Sequence, residues 1–250
     1  MVLVSPLFVV SPQRRAGEAW LRTAPALWCA LCALALALLA SGCARRGKVR
    51  TRASIEALAE DPARDNWQLP AQLLAAAGVG PGSVVVDWGS GDGYLLPHLS
   101  AAVGPEGRVF AVEFEADVVE KLRGRVQASK LSNVSVHAVA EGELPGTGLF
   151  DRILMIDAYG ELAEPVGSLE RIRARLKAGG VLVVAGHKPD AALPGPPMQE
   201  RIDAETVIAE ARGAGFGEAK ALDLLPRQWL LLLPNEVAAA DDADAKAAGE

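Results

Sequence analysis

The sequence predicts an α/β fold in which a doubly wound, mostly parallel sheet is covered by helices on both faces. Two observations support this prediction: apolar strand segments alternate with amphipathic helical segments, and the first strand runs directly into a glycine-rich turn. In residues 84–93 (VVVDWGSGDG) a buried-strand pattern passes through Asp87 into glycines at alternate positions. Backbone without side chains can approach a ligand closely there.

The other elements follow in order along the chain. A helix is predicted to begin near Tyr94, with Pro97 in its first turn. Later strands are predicted over residues 107–112, 134–139, 150–157, 181–185, 219–225 and 228–233. Apolar residues recur at helical spacing in Val118, Val119, Leu122 and Val126, and again in Val166, Leu169, Ile172 and Leu176. The second of these helices is predicted to end in a cap at residues 177–180, and Asp203 is predicted to cap the last helix.

The glycine turn resembles the first motif of the class I S-adenosylmethionine-dependent methyltransferases, D-x-G-x-G-x-G, present here as Asp87, Gly89, Gly91 and Gly93. A dinucleotide site requires G-x-G-x-x-G, and the third glycine comes one residue early, so NAD is the weaker interpretation. Glu113 ends the second strand about 20 residues later, where an acid can accept hydrogen bonds from both ribose hydroxyls. A plain turn and a solvated acid remain the alternatives.

The resemblance extends over residues 64–233. Residues 150–162 (FDRILMIDAYGEL) and 169–184 (LERIRARLKAGGVLVV) resemble the fourth and fifth blocks of the methyltransferase domain. Residues 65–68 (DNWQ) and 195–197 (GPP) are similar to a bacterial subgroup of small-molecule methyltransferases related to the quinone-biosynthesis and arsenite enzymes. The resemblance implies a Rossmann-like, seven-stranded sheet of strand order 3-2-1-4-5-7-6, with an antiparallel hairpin at its end.

The resemblance also implies a site for S-adenosylmethionine, formed by Trp67, Asp87, Trp88, Gly89, Ser90, Gly91, Gly93, Glu113, Phe114, Glu141 and Asp157. The residues expected at the methyl-transfer site are Asp157, Tyr159 and Glu161. Asp157 or Glu161 can accept a proton from an acceptor hydroxyl or amine, although Glu161 can equally be a solvated loop acid. The rings of Trp67, Trp88 and Tyr159 can hold the cofactor's cation, with core packing as the alternative. The three histidines, His98, His137 and His187, are expected to be structural.

Two departures from the family pattern leave a second hypothesis open. Relatives place Gly-Asp or Gly-Glu after the third strand, whereas this chain has Val139 and Ala140 there, with Glu141 one residue later. Paired histidines that the subgroup carries after the tyrosine are replaced by Gly160 and Glu161. The first hypothesis is in-line methyl transfer to a small or lipid-soluble acceptor. The second is a membrane-tethered binding module that keeps the fold without catalysis.

Charge and cysteine usage narrow the classes of function. Without residues 1–43 the chain has 22 basic and 30 acidic residues, a net charge of −8, so no nucleic-acid partner is expected. Its three cysteines are Cys29, Cys32 and Cys43, all in that first segment. Neither a thiol nucleophile, a disulfide nor a metal site is therefore expected in the folded part.

The first 43 residues resemble the signal of a bacterial lipoprotein. Residues 24–40 carry no charge, Arg14, Arg15 and Arg22 precede them, and LASGC ends at Cys43, the expected lipidated residue. Five basic residues within 45–52 allow the alternative of an uncleaved, cytoplasm-facing anchor, and a start codon assigned too far upstream is a third possibility. We predict a signal or anchor over 1–43, a basic linker and lead-in helix over 44–63, the methyltransferase domain over 64–234 and a disordered acidic tail over 235–250.

Overall fold

The computed structural model describes residue 58 and residues 61–140, 142–190 and 195–236. The predicted signal segment with Cys43, most of the basic linker and lead-in helix, Glu141 and the tail beyond residue 236 lie outside the described residues. Within the described ranges, no helix combines the length and the apolar character that crossing a membrane would need.

Seven strands and six helices alternate along the described chain. The strands are β1 (Val84–Trp88), β2 (Arg108–Glu113), β3 (Val134–Ala138), β4 (Phe150–Ile156), β5 (Leu176–His187), β6 (Lys220–Leu222) and β7 (Gln228–Pro234). The helices are α1 (Arg64–Gln68), α2 (Pro70–Ala76), α3 (Leu96–Val103), α4 (Ala116–Ala128), α5 (Pro165–Arg173) and α6 (Ala204–Gly213). Single 3₁₀ turns lie at Tyr159–Glu161 and Met198–Glu200.

The strands form one sheet of order β3-β2-β1-β4-β5-β7-β6, which confirms the predicted fold class and strand order. Strands β1 to β5 are parallel, and β7 runs antiparallel between β5 and β6. Apolar side chains cover both faces of the sheet in two clusters, one around Val86 and Trp88 and the other around Val85 and Leu154. The carboxyl ends of the parallel strands lie at one edge of the sheet. The strand order reverses beside β1, and sheets of this kind bind their ligands at the carboxyl edge next to such a reversal.

Two helix starts follow the predicted local chemistry. Pro97 lies in the first turn of α3, where its missing N–H removes no helical hydrogen bond. Asp203 caps α6, because its Oδ1 accepts a hydrogen bond of 2.7 Å from the backbone N–H of Thr206. Both helices therefore begin where the sequence pattern places them.

The predicted cap at residues 177–180 is wrong, because this segment belongs to β5. Helix α5 ends at Arg173, and Leu176 already pairs with Phe150 of β4. The side chain of Asn235 donates to the carbonyls of Leu176 and Lys177 at 3.1 and 3.2 Å, and its backbone N–H donates to the Gly180 carbonyl at 2.8 Å. A residue far along the chain thus satisfies these carbonyls and extends the strand.

Candidate cofactor and acceptor site

The glycine turn is folded tightly onto its neighbours at the end of β1. The backbone N–H groups of Gly89 and Ser90 both donate to the carbonyl of Val112, each at 3.0 Å. Gly89 has a φ of +73°, and a Cβ at this position would lie 2.6 Å from the Cβ of Ala158. At Gly93 a Cβ would lie 2.5 Å from Cδ1 of Leu122 on α4. Both positions therefore require glycine.

Glu113 fixes this turn to the end of β2. Its Oε2 accepts a hydrogen bond of 2.8 Å from the backbone N–H of Gly91, and its Oε1 accepts one of 2.8 Å from Phe114. The side chain is buried. Each carboxylate oxygen has a further lone pair, so this arrangement is compatible with the expected ribose contact, which stays a prediction.

Asp87 lies buried under the same turn with no cation paired to it among the described residues. Burial raises the pKa of its carboxyl to about 7, and the nearby carboxylates of Asp92 and Glu113 act in the same direction. Asp87 lines an open cavity of about 360 Å³ together with Gly89, Ser90, Gly91 and Arg64. A positively charged ligand group beside Asp87 would offset the free-energy cost of ionising this buried carboxyl.

Arg64 and Tyr94 form the outer wall of that cavity. The guanidinium of Arg64 lies 3.9 Å from the centre of the Tyr94 ring, and its Nη1 is 3.2 Å from Oδ1 of Asp92. The Tyr94 hydroxyl in turn donates to Asp65 at 2.5 Å. Helix α1, which supplies Arg64 and Asp65, is thereby attached to the glycine turn.

The three aromatic residues proposed to hold the cation have different surroundings. Trp88 is fully buried against Phe114, with ring centres 4.5 Å apart, so it packs in the core as the alternative interpretation expected. Tyr159 is also buried, and its hydroxyl donates to Oε2 of Glu210 on α6 at 2.7 Å. Trp67 donates from Nε1 to Asp61 at 2.8 Å, and its ring faces the guanidinium of Arg227 at 5.3 Å.

A second cavity, of about 470 Å³, opens at the carboxyl ends of β4 and β5. Trp229 forms one wall, with its Nε1 donating to the carbonyl of Ile202 at 3.0 Å and its ring against Gly186. Glu161 connects this cavity to the glycine turn, because its Oε2 lies 3.7 Å from where a Cβ of Gly89 would be. The two cavities are therefore adjacent.

The acidic end of β4 is held by two side chains that sequence reasoning did not assign to the site. Nδ1 of His187 lies 2.8 Å from Oδ1 of Asp157, and Nε2 of Gln228 donates to Oδ2 of Asp157 at 2.7 Å. Asp157 adopts a φ of +57°, a conformation that costs a non-glycine residue roughly 1–3 kcal/mol. The contact between His187 and Asp157 could have been predicted from the positions of these residues at the ends of β5 and β4, because neighbouring parallel strands end side by side.

The structure thus brings most of the predicted site residues to one edge of the sheet. Asp87, Gly89, Ser90 and Gly91 line the first cavity, and Asp157, Tyr159 and Glu161 line the second. Five predicted cofactor residues line neither of these two cavities, and two of them, Trp88 and Phe114, pack in or against the core; the five are Trp67, Trp88, Gly93, Glu113 and Phe114. This arrangement suits S-adenosylmethionine. The glycines of the turn let backbone approach the large nucleoside closely, and the buried carboxylate of Asp87, which has no paired cation among the described residues, suits the positively charged amino-acid end.

Three features together are typical of the S-adenosylmethionine-dependent methyltransferases. They are a mostly parallel sheet with this strand order, a glycine turn after β1 and an acid at the end of β2. The family described as "Methyltransferase domain" matches residues 80–220, more than half of the chain, and the chain belongs to this family. Its cofactor is accordingly S-adenosylmethionine.

Individual relatives agree with this membership. The chain is 30% identical over 116 residues to a protein-L-isoaspartate O-methyltransferase of Ignicoccus hospitalis, covering 46% of this chain and 52% of that protein. It is 34% identical over 71 residues to an arsenite methyltransferase of Halobacterium salinarum, covering 28% of this chain and 18% of that protein. The chain spans about half the length of two protein-L-isoaspartate O-methyltransferases that it matches, 52% of one and 48% of the other.

Among solved structures, an S-adenosylmethionine-dependent methyltransferase from Aquifex aeolicus superimposes with a TM-score of 0.66 at 27% identity. The match covers 70% of this chain and 94% of the Aquifex chain. Nearly the whole of that protein therefore corresponds to the part of this chain that folds around the sheet.

Proposed function

We propose that this chain transfers the methyl group of S-adenosylmethionine to a small acceptor by in-line displacement. The observation that carries the proposal is the pairing of the two adjacent cavities: a glycine turn clamped by Glu113 on one side, and acidic side chains of Asp157 and Glu161 on the other. A sulfonium methyl group is already activated when it is bound, so the protein's task is alignment of the acceptor with it.

Each wall of the first cavity has a distinct task in this proposal. The backbone of Gly89–Gly93 lies against the nucleoside, and Glu113 receives the ribose hydroxyls. Asp87 faces the cationic amino-acid end of the cofactor. That positive charge favours the ionised form of Asp87 and removes the free-energy penalty that burial imposes on the ionised form. Arg64 and helix α1 close the outer side of the cavity.

The acceptor in this proposal is a small organic molecule. The second cavity is lined by apolar and aromatic side chains, among them Tyr159, Ile202 and Trp229, together with a few polar groups, which is the lining typical of small-molecule sites. The relatives' printed names include protein-L-isoaspartate, ribosomal RNA and arsenite methyltransferases, so they do not single out one substrate. Thiolate-dependent arsenic chemistry is disfavoured because residues 44–250 contain no cysteine, and the net charge of −8 disfavours nucleic acid.

Calorimetric titration of the full chain with S-adenosylmethionine, and with its demethylated product, tests the proposal. We expect binding of both, weakened at least tenfold in Glu113→Ala, which removes the clamp on the glycine turn. His137→Gln is the matched control, because this side chain is on the far strand β3, where it contacts Ser135 and Phe110. A folded sample that binds neither compound contradicts the proposal.

We further propose that the N-terminal segment holds the domain at a membrane, as an exported lipoprotein or, alternatively, as a cytoplasm-facing anchored protein. The support is the uncharged run 24–40 followed by LASGC, with Cys43 as the lipidated residue. Fractionation of cells treated with globomycin distinguishes the two forms, since lipoprotein processing is sensitive to it and is abolished in Cys43→Ser. A chain found wholly in the soluble fraction contradicts both.

A further inference from the structure

The pair formed by Asp157 and His187 is arranged as an acid that orients a base. Both carboxylate oxygens of Asp157 are engaged, Oδ1 by Nδ1 of His187 and Oδ2 by the amide of Gln228. An ionised carboxylate only accepts hydrogen bonds, so Nδ1 of His187 carries the proton. When the ring is neutral, Nε2 therefore carries a lone pair.

That lone pair is buried and has no hydrogen-bond partner among the described residues. His187 is 2% exposed, and its Nε2 is one of very few buried side-chain polar atoms without a partner in the described part of the chain. The backbone of Gly195 lies against it, at a place where a Cβ would come within 2.4 Å of Nε2. Buried polar atoms are nearly always hydrogen-bonded, so an unsatisfied buried nitrogen calls for an explanation, and a catalytic role is one such explanation.

The charged groups around His187 are few and come from several elements. Asp157 at the end of β4 is bonded to it, and the ring of Trp67 on α1 lies 5.5 Å away, with Asp61 and Arg227 on the Trp67 side. Glu161, Glu200 and Arg201 line the same cavity as His187. Among these charged groups, Asp157 is the one hydrogen-bonded to the His187 ring.

We propose that His187 is the general base of the reaction and that the acceptor is a hydroxylated aromatic compound; this inference rests on the proposed function. Nε2 takes the hydroxyl proton, and the acceptor oxygen forms its bond to the methyl carbon. The carbon–sulfur bond breaks with its electron pair remaining on sulfur, which becomes a neutral thioether. Asp157 and Gln228 are positioning residues that hold the ring in the required tautomer.

The choice of a phenolic hydroxyl follows from proton affinities. A phenol has an ordinary pKa of about 10 and gives up its proton to a nitrogen base far more readily than an aliphatic alcohol, which is much less acidic. A neutral amine already has a free lone pair and needs no base before attack. The walls formed by Trp229, Tyr159 and Ile202 supply apolar and aromatic surface for a ring.

Two phenols of different acidity test the inference in the full chain with S-adenosylmethionine. With 4-methylphenol, which is neutral at about pH 7.5, we expect His187→Gln to lower kcat about 10²–10⁴-fold, the usual contribution of a general base. With pentafluorophenol, already ionised at that pH, the same variant should lose less than about tenfold, because no proton remains to be removed. His137→Gln should match the wild-type chain with both phenols, and cofactor binding should be unchanged in both variants.

Equal losses with the two phenols would overturn the assignment of His187 as base. Methylation of neither phenol by a wild-type chain that binds the cofactor would overturn the acceptor class, whereas absence of cofactor binding would reject the proposed function itself. The wild-type pH profile provides a readout that needs no variant. The rate with 4-methylphenol should rise through one ionisation and then level off, while that with pentafluorophenol stays flat; parallel profiles would also overturn the inference.

Discussion

Two buried carboxylates at the same edge of the sheet, Asp87 in β1 and Asp157 after β4, have opposite surroundings. Asp87 has no paired cation among the described residues, and burial raises its pKa to about 7. Asp157 is clamped through both oxygens by His187 and Gln228. The first carboxylate is suited to a charge supplied by a ligand, and the second is suited to orienting a neighbouring side chain. The difference teaches that, at one edge of a sheet, one residue type can be left without a cation or be held by two neighbouring side chains, and so suit different roles.

The two regions also differ in how they are built. The cofactor side is mainly backbone: glycines within one turn, held by one acid from the next strand. The acceptor side is mainly side chains, brought from α1, β4, β5 and β7. Mutations should therefore disturb the first region through steric overlap and the second through lost hydrogen bonds and proton transfer.

The largest expected effect is on the backbone-built region. Gly89→Val should lower the affinity for S-adenosylmethionine at least 100-fold, because its Cβ would lie 2.6 Å from the Cβ of Ala158 at a φ of +73°. The free energy of unfolding should fall by about 2–3 kcal/mol. Calorimetry and denaturant unfolding measure both, with Gly80→Ala as control, since nothing lies within 4 Å of its added Cβ. Wild-type affinity in Gly89→Val would show that the turn does not approach the cofactor.

The next largest effect separates the two carboxylates. Asp157→Asn keeps a residue that tolerates the left-handed backbone, but its amide conflicts with the donor of either His187 or Gln228. We expect kcat to fall about 100-fold or more while cofactor affinity changes less than about threefold. Most of this loss should disappear with pentafluorophenol, which has no proton left to remove. An equal loss with the two phenols would leave Asp157 with a structural role alone.

A smaller, graded effect is expected from Asp87. Below about pH 7 the carboxyl is protonated in the free protein, so affinity for the cationic cofactor should fall about tenfold for each pH unit and level off above pH 7. Because the folded pKa lies above the ordinary 3.8, ionisation destabilises the free protein, and its stability should fall as pH rises from about 4 to 7. In Asp87→Asn both dependences should disappear, with weaker binding and a more stable free protein at about pH 8. Persistence of the binding dependence in that variant would assign it to another group.

The smallest effect concerns Tyr159, predicted from the family pattern to lie at the methyl-transfer site. Its hydroxyl bonds Glu210 on α6, so Tyr159→Phe should cost about 1 kcal/mol of stability and change kcat less than about threefold. Thermal unfolding and initial-rate measurements test this together. A tenfold loss of kcat at unchanged stability would place the hydroxyl in the chemistry instead.

Local signals were sufficient for most of the fold and for the cofactor region. The alternation of strand and helix patterns, Pro97 and Asp203 at helix starts, and the spacing from Gly89 to Glu113 all concern residues close in sequence. Their geometry depends on backbone conformation and short-range hydrogen bonds, which residue types largely dictate. The exception within the fold, the extension of β5 through residues 177–180, depended on Asn235.

The sequence by itself determined the alternation of strands and helices and the tight turn after β1, because these follow from periodicity and from glycine spacing, whereas the strand order followed from the resemblance to the methyltransferase family. Only the tertiary structure decided that Trp88 is a core residue, that Asp87 is buried without a cation, and that His187 and Gln228 hold Asp157. These properties depend on which side chains meet after the strands pair and on how much water is then excluded. Both are consequences of long-range packing, which no local pattern along the chain encodes.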